Sequence, residues 1–521
     1  MEIDPTIAQL HKHYEAIRPK ALIGEDLKRE LNNLFEFIKE SFNDHIKRPD
    51  GSRVYQALYR RADAELRTKF LELFIPIIIE ASMTKYQYHV VLCVIKHSNK
   101  EQRNLLFEKM IGNLGKLIKH RIGILIVDEL YDHANSTQKA RILFDFYGPH
   151  KDKYDSNSLT TFADLCKLSP KVREESIKYL QGILEVACDK NLGKYRIIQK
   201  MILNLGQEDL SMFGHFIIHL NDFAFSPDGA EVAIRCIINA KQSAIRGAIK
   251  FIEPHERKNM PLSAIEEDDH PDNEEEEGNE SDQKAPEEVQ MNNTCKMACD
   301  ANGWRVLACA VSYLDDPAAV IEEVIPNLMD YWGNIASNEY ALSLISSFLI
   351  PSKQTYRSLQ FLRSFVNETL EDNVSESIFE KVCGSIDTLC TFSDGSRIVV
   401  HLLKAYSKTD RFNQLADIVF SHKNILDKVL HKVIKLAVQS GEKPLIKRVE
   451  TLVHEVGVEA ILPTPGAWVI EALSSINKKI RENAIRIINQ NKIEGKAIQA
   501  ILDPKSDKEK VSFSRQKYSK K

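Results

Sequence analysis

Apolar residues recur at i, i+3 and i+4 through residues 64–79 and 100–119, the spacing that lines one side of an α-helix. Shorter apolar runs, such as 54–59 and 90–95, predict a second helix in each unit, so the chain reads as helices and not strands. One phrase recurs at the start of that second helix. It stands as Asp50-Gly51-Ser52-Arg53-Val54, Asn302-Gly303-Trp304-Arg305-Val306 and Asp394-Gly395-Ser396-Arg397-Ile398. Weaker copies are Asp228-Gly229-Ala230-Glu231-Val232 and Thr464-Pro465-Gly466-Ala467-Trp468-Val469. With Arg53 as marker, equivalent positions fall at Tyr88, Gly123, Arg196, Glu231, Arg305, Tyr340, Arg397 and Trp468, and four of the steps are 35 residues. Gly51 and Gly229 are expected to supply a positive φ in a turn before the helix begins. A two-helix unit of this size cannot bury its own apolar face, so neighbours must stack into a curved α-solenoid. The Arg53-equivalent side chains should then share one face, the concave one.

A length of 521 residues supports this picture, because one hydrophobic core rarely serves so long a chain. With 43% hydrophobic and 28% charged residues the chain is composed like a folded protein. The net charge of −4 conceals an uneven distribution. Residues 264–288 hold 13 acids against the single base Lys284, and without that stretch the rest of the chain carries +8. Like-charge repulsion and a shortage of large apolar residues predict a solvated loop there, inert or competing with nucleic acid for a basic surface. Between Asp44 and Arg121, 15 Lys and Arg oppose eight acids.

Nine scattered cysteines without a CxxC motif fit a reducing compartment better than a disulfide framework. Cys295 and Cys299 lie four apart, but no second ligand pair follows at metal-site spacing, so neither metal nor other cofactor is expected. The longest apolar run, 73–79, is broken by Pro76 and far too short for a membrane span. No phosphate-binding loop, HExxH, GxSxG or carboxylate pair stands out, so an enzyme is not expected. Trp304, Trp332 and Trp468 read as core residues.

The phrases GSRVYQALYRRADAELR (51–67), KYQYHVVLCVIKHSNKEQ (85–102), DGAEVAIRCI (228–237), LACAVSYLDDPAAV (307–320) and NEYALSLISSFLIPSK (338–353) together resemble Pumilio (PUF) repeats. Their order is similar to that of the divergent Puf-A-like nucleolar branch. The resemblance implies an all-α array of about eleven repeats in two lobes, with little sequence preference in nucleic-acid binding. It also implies a role in pre-rRNA processing and large-subunit assembly, in the nucleus and nucleolus. The organisation expected is an N-terminal helical cap (1–40), a repeat lobe (41–263), the acidic insertion (264–288), a second lobe (289–504) and a basic tail (505–521).

In PUF repeats that read sequence, two residues of the second helix bind a base edge and a third stacks on it. Mapped here, the edge pair is Ser52 and Gln56 with Arg53 stacking, and Lys194, Tyr195, Arg196 and Gln199 keep a related arrangement. Elsewhere the Gln56 position falls on Val91, Ile126, Ile234, Ala308, Val400 and Glu471, five apolar groups and an acid, so the base code is largely lost. Phosphate contacts by Arg53, Arg60, Lys85, His89, Lys119, Arg121, Arg305 and Arg397, with stacking by Tyr86 and Tyr88, are the expected substitute. Expected partners are RNA, pre-rRNA foremost, with DNA as an alternative, and pre-ribosomal proteins. The chain is expected to be a monomer. Two other functions fit the same pattern: a protein-interaction scaffold of the HEAT or armadillo kind, and a sequence-specific mRNA repressor.

Overall fold

The computed structural model describes residues 5–19, 21–148, 161–250, 291–318, 320–350 and 368–503. Among these residues the secondary structure is helical, with no strand. The acidic stretch 264–288 and the tail 505–521 lie outside the described residues, and so do 251–263. The chain forms two compact units, Met1–Lys241 and Gln242–Lys521.

Each unit is a solenoid in which one helix per repeat packs beside its counterparts. In chain order we label these ladder helices α1 (Pro49–Arg61), α2 (Gln87–His97), α3 (Gly123–His133), α4 (Arg196–Glu208) and α5 (Pro227–Asn239) in the first unit. The second unit contains α6 (Gly303–Tyr313), α7 (Glu339–Leu349), α8 (Ser393–Ala405), α9 (His431–Gln439) and α10 (Ala467–Ser474). Neighbours in each series pack on one another, and the helices Pro5–Ile17 and Gly24–Lys39 pack on α1.

The helix Gln242–Lys250 belongs with the second unit. Gln242 Nε2 donates to the Tyr313 carbonyl at 2.6 Å, and its Oε1 accepts from the Asp315 amide at 3.1 Å. Arg246 pairs with Asp316 at 3.2 Å. These contacts stitch the helix Gln242–Lys250 to the second unit, which its amphipathic sequence alone does not reveal.

The two long predicted helices are each interrupted where the backbone chemistry demands it. Residues 64–79 divide into Ala64–Phe74, a 3-10 turn Ile75–Ile77 carrying Pro76, and Ile78–Ala81, because proline has no amide to continue the ladder of bonds. Residues 100–119 divide into Lys100–Met110 and Leu114–Leu117 around Gly112, whose φ is +86°.

The fold also corrects the repeat length. The short helices before α1, α2 and α3 start at Phe42, Ile78 and Leu114, and those before α8, α9 and α10 start at Ile386, His422 and Val458, a step of 36 residues within each trio. The N-caps Asp63, Asn99 and Asn135 keep the same step, and their side chains accept from the amides of Leu66, Gln102 and Gln138. Arg53 therefore corresponds to His89 and Leu125, not to Tyr88 and Gly123.

Gly51 has a helical role unlike the turn expected for it. It lies in the first turn of α1 and has no positive φ, nor does Gly229 in α5. What excludes a side chain is a carbonyl six residues earlier, at the end of the short preceding helix. A Cβ on Gly51 would lie 1.9 Å from the His45 oxygen, on Gly123 2.4 Å from Leu117, on Gly229 2.1 Å from Phe223, and on Gly395 2.0 Å from Leu389. The glycine lets the short helix end directly against the ladder helix, so it fixes packing and not chain direction.

Behind this contact sits an aromatic core. Phe42, Tyr55, Tyr59, Phe70 and Phe74 meet at centroid separations of 4.8–6.3 Å, with Tyr55 donating to the Phe42 carbonyl and Tyr59 bonded to the Ser98 hydroxyl. Burial of each such ring stabilises by roughly 1.5–3 kcal/mol. All nine cysteines are unbridged, and seven are buried.

Candidate nucleic-acid interface

The helical period leaves one stripe of each ladder helix outside the core. On α1 it contains Arg53, Gln56 and Arg60, on α2 His89, Leu92 and Lys96, and on α3 Leu125, Asp128, Glu129 and Asp132. On α4 the stripe is Arg196, Lys200 and Leu203. Arg53 and Arg60 are exposed, and Gln56 is partly buried.

Ser52, expected to read a base edge, is 2% exposed. Its hydroxyl donates to the Tyr86 carbonyl at 2.7 Å and accepts from Gln56 Nε2 at 3.4 Å. Ser52 is thus turned to joining α1 to α2, and Gln56 to bonding Ser52. Gln199 is likewise corrected. It is 1% exposed, donates through Nε2 to the carbonyls of Gly193 and Lys194 at 3.1 and 3.2 Å, and accepts from the Ser226 hydroxyl at 2.7 Å. Tyr88 is buried as well, with the His89 ring 3.9 Å from it, so it offers no stacking face.

The other mapped positions lack base-reading groups too, though the 36-residue step changes which residues stand there. Val91, Ile126, Ile234, Ala308 and Val400 are all buried. With that step, the places corresponding to Gln56 on α2 and α3 are Leu92 and Asp128. Leu92 is apolar, and Asp128 accepts the Ile197 amide at 2.9 Å. Neither offers a polar pair to a base.

Exposed cations instead gather where the ladder helices of the first unit begin. Lys85, Lys119, Arg121 and Lys194 are exposed, and Tyr86 and Tyr195 are half-buried. Lys85 Nζ lies 5.3 Å from the Tyr86 ring centre and Lys194 Nζ lies 5.7 Å from that of Tyr195. Lys190, which composition did not single out, donates to the Lys119 carbonyl at 3.2 Å and so joins the group. Burial raises the Tyr195 hydroxyl, Asp128 adds to this, and Arg121 opposes it, which sets these three side chains within electrostatic reach of one another. Residues distant in sequence converge here because α4 packs beside α3. Ser52 meets the residue before α2, and Asp128 and Asp132 meet the start of α4.

Ion pairs between the ladder helices close the stripe electrostatically. Arg196 Nη1 pairs with Asp132 at 3.0 Å and its Nε with Asp228 at 2.9 Å, while Lys200 pairs with Asp228 at 2.6 Å. Lys96 lies 3.4 Å from Glu129. Burial disfavours the charge on Asp228, but Lys200 and Arg196 outweigh it and hold its carboxyl below the usual range.

Asp128 titrates the opposite way. Burial raises its carboxyl to about 6, against the Ile197 amide bond that favours the ionised form. A raised carboxyl favours folding below its unfolded value, and that contribution is lost as pH rises through about 6. Asp128→Asn retains an oxygen for the Ile197 amide and removes the charge. It is expected to raise the first unit's melting temperature at about pH 7.5, and to leave it nearly unchanged at about pH 4. Thermal melts across that range measure the difference.

In the second unit Arg397 pairs with Asp394 at 3.0 Å. Arg305 is partly exposed, and its Nε is buried without a hydrogen bond. Trp304 and Trp332 are buried, whereas Trp468 is half-exposed, with Lys435 Nζ 4.4 Å from its ring. Among the described residues no three His, Cys, Asp or Glu side chains gather to hold a metal ion. No helix among them is long and apolar enough to cross a membrane.

No protein-family model matches the chain. It is 21% identical over 213 residues to Pumilio domain-containing protein 12 of Caenorhabditis elegans, covering 40% of this chain and 28% of that protein. It is also 21% identical over 262 residues to human Pumilio homolog 3, covering 48% of this chain and 40% of the relative. The chain thus matches less than half the length of these relatives. The crystal structure of human Puf-A superposes with a TM-score of 0.73 at 16% identity, over 96% of this chain and 99% of that one, and Puf-A in complex with DNA gives the same values. The chain thus shares the solenoid fold of human Puf-A and is similar in sequence to Pumilio-domain proteins.

Proposed function

We propose that the chain binds single-stranded nucleic acid, RNA above all, through the phosphate backbone and with little base preference. The observation that carries this reading is the division of labour on the ladder. Ser52, Gln199 and Asp128, at base-reading places, are spent on repeat-to-repeat bonds, while Lys85, Lys119, Arg121 and Lys194 stay exposed beside half-buried tyrosines. Cations on a groove give affinity without sequence information, and aromatic rings stack on any base. The solved complex of human Puf-A with DNA supports the choice of ligand class. The biological setting we propose is pre-rRNA processing and large-subunit assembly in the nucleolus, by a non-catalytic monomer that meets pre-ribosomal proteins there. In-cell crosslinking tests that setting: a pre-rRNA footprint supports it, and scattered mRNA sites or no RNA sink it.

Filter binding to a uridine-rich oligonucleotide tests the chemistry. Log affinity is expected to fall linearly with log salt, by about 0.7 for each phosphate contact. Scrambling the sequence should cost less than the roughly 1 kcal/mol of a single mismatch in a specific site. A flat salt response, or a steep sequence dependence, refutes the reading.

A further inference from the structure

The nucleic-acid track of the first unit has an end, and the ion pairs of α3, α4 and α5 define it. Arg196 stands at the head of α4, on the same stripe as Arg53 of α1, and Lys200 follows one turn later. On α4 both cations are held by carboxylates of the neighbouring helices. Asp132 of α3 takes one end of the Arg196 guanidinium at 3.0 Å, and Asp228 of α5 takes its Nε at 2.9 Å and Lys200 at 2.6 Å. A phosphate needs the same donors, in the same charge-assisted bonds, that these carboxylates already use. The Asp128–Ile197 bond ties α3 to the head of α4 beside these carboxylates.

We propose that Asp132 and Asp228 act as built-in phosphate substitutes that mask Arg196 and Lys200. They thereby limit the bound strand to the part of the track from α1 to the head of α4, where Lys194 stands. This rests on the nucleic-acid reading above. Helical repeats of this kind accommodate about one base each, so the first unit contacts about four nucleotides before the strand must leave the groove. Asp132 and Asp228 are then residues that set site size, without touching the ligand.

The test is fluorescence anisotropy on the full chain with labelled oligo-U of about four and about eight nucleotides. Asp132→Asn with Asp228→Asn frees two cations while keeping the carboxamide shape. Two added phosphate contacts at about 0.1 M salt correspond to about a 25-fold gain in affinity. That gain is expected for the longer oligonucleotide, with a salt slope steeper by about 1.4, and is expected to be absent for the shorter one. In the unmutated background Arg196→Ala with Lys200→Ala should change affinity for the longer strand less than about twofold, and combined with the two asparagines it should abolish the gain. If the unmutated chain binds but the double asparagine variant gains nothing, the proposal is wrong. It is also wrong if Arg196→Ala with Lys200→Ala weakens the unmutated chain several-fold, because those cations then already contact phosphate. If the unmutated chain binds neither oligonucleotide, the nucleic-acid reading falls and this proposal with it.

Discussion

Reversing Lys85, Lys119 and Arg121 to glutamate together lowers affinity for a single-stranded oligonucleotide by about a hundredfold or more at about 0.1 M salt. The three side chains are exposed, and none is tied to a carboxylate at salt-bridge distance among the described residues. Removing one phosphate partner takes about 0.7 off the salt slope, so the slope falls by about 2. Reversal adds repulsion to the missing attraction, which is why the drop exceeds that of alanine variants. The charge-matched control reverses Lys69, Lys109 and Lys171, which lie on helices outside the ladder. That control alters the overall charge equally and is expected to cost only a few-fold, through long-range attraction that salt screens. Equal reductions in both triple variants would mean that total charge, not the cluster, drives binding. Stopped-flow association rates separate the two effects, since long-range attraction acts on the rate of encounter.

Gly51→Ala is expected to lower the stability of the first unit by several kcal/mol, more than the roughly 1–3 kcal/mol typical of an overpacked core. The added methyl would sit 1.9 Å from the His45 carbonyl oxygen, which belongs to backbone that cannot rotate away. Either the short helix Phe42–His45 or the start of α1 must move, and the aromatic core beneath them opens. Gly182 provides the contrast. It lies inside the helix Pro170–Asp189, and a Cβ there meets nothing within 4 Å. Gly182→Ala should stabilise by roughly 0.5–1 kcal/mol, because alanine loses less backbone entropy in a helix. Urea unfolding of both variants, followed by circular dichroism, measures the difference, and a Gly51→Ala protein as stable as the parent would refute the close-approach account. Since each repeat contacts only its neighbours, the damage should concentrate in the first two repeats, which hydrogen exchange can localise.

The solenoid is legible because one recurring phrase and one helical period run the length of the chain. Its register is less so. Local likeness pairs Arg53 with Tyr88 and Gly123, whereas the N-caps Asp63, Asn99 and Asn135 carry the true 36-residue step. Those caps stand in the sequence as polar residues three before Leu66, Gln102 and Gln138, and capping chemistry corrects the count. The roles of Ser52 and Gln199 are beyond such a correction. A serine that reads a base and one that donates to Tyr86 occupy the same place in the sequence.

By itself the sequence determined the class of fold, the lost base code and the uneven charge, since each follows from residue type and spacing within a short window. Tertiary structure alone decided which cations are available. Arg196 meets Asp132 and Asp228, far from it along the chain, because α4 packs between α3 and α5. An ion pair between ladder helices depends on their relative height, and that height is set by packing across whole repeats. No local pattern of residues records it.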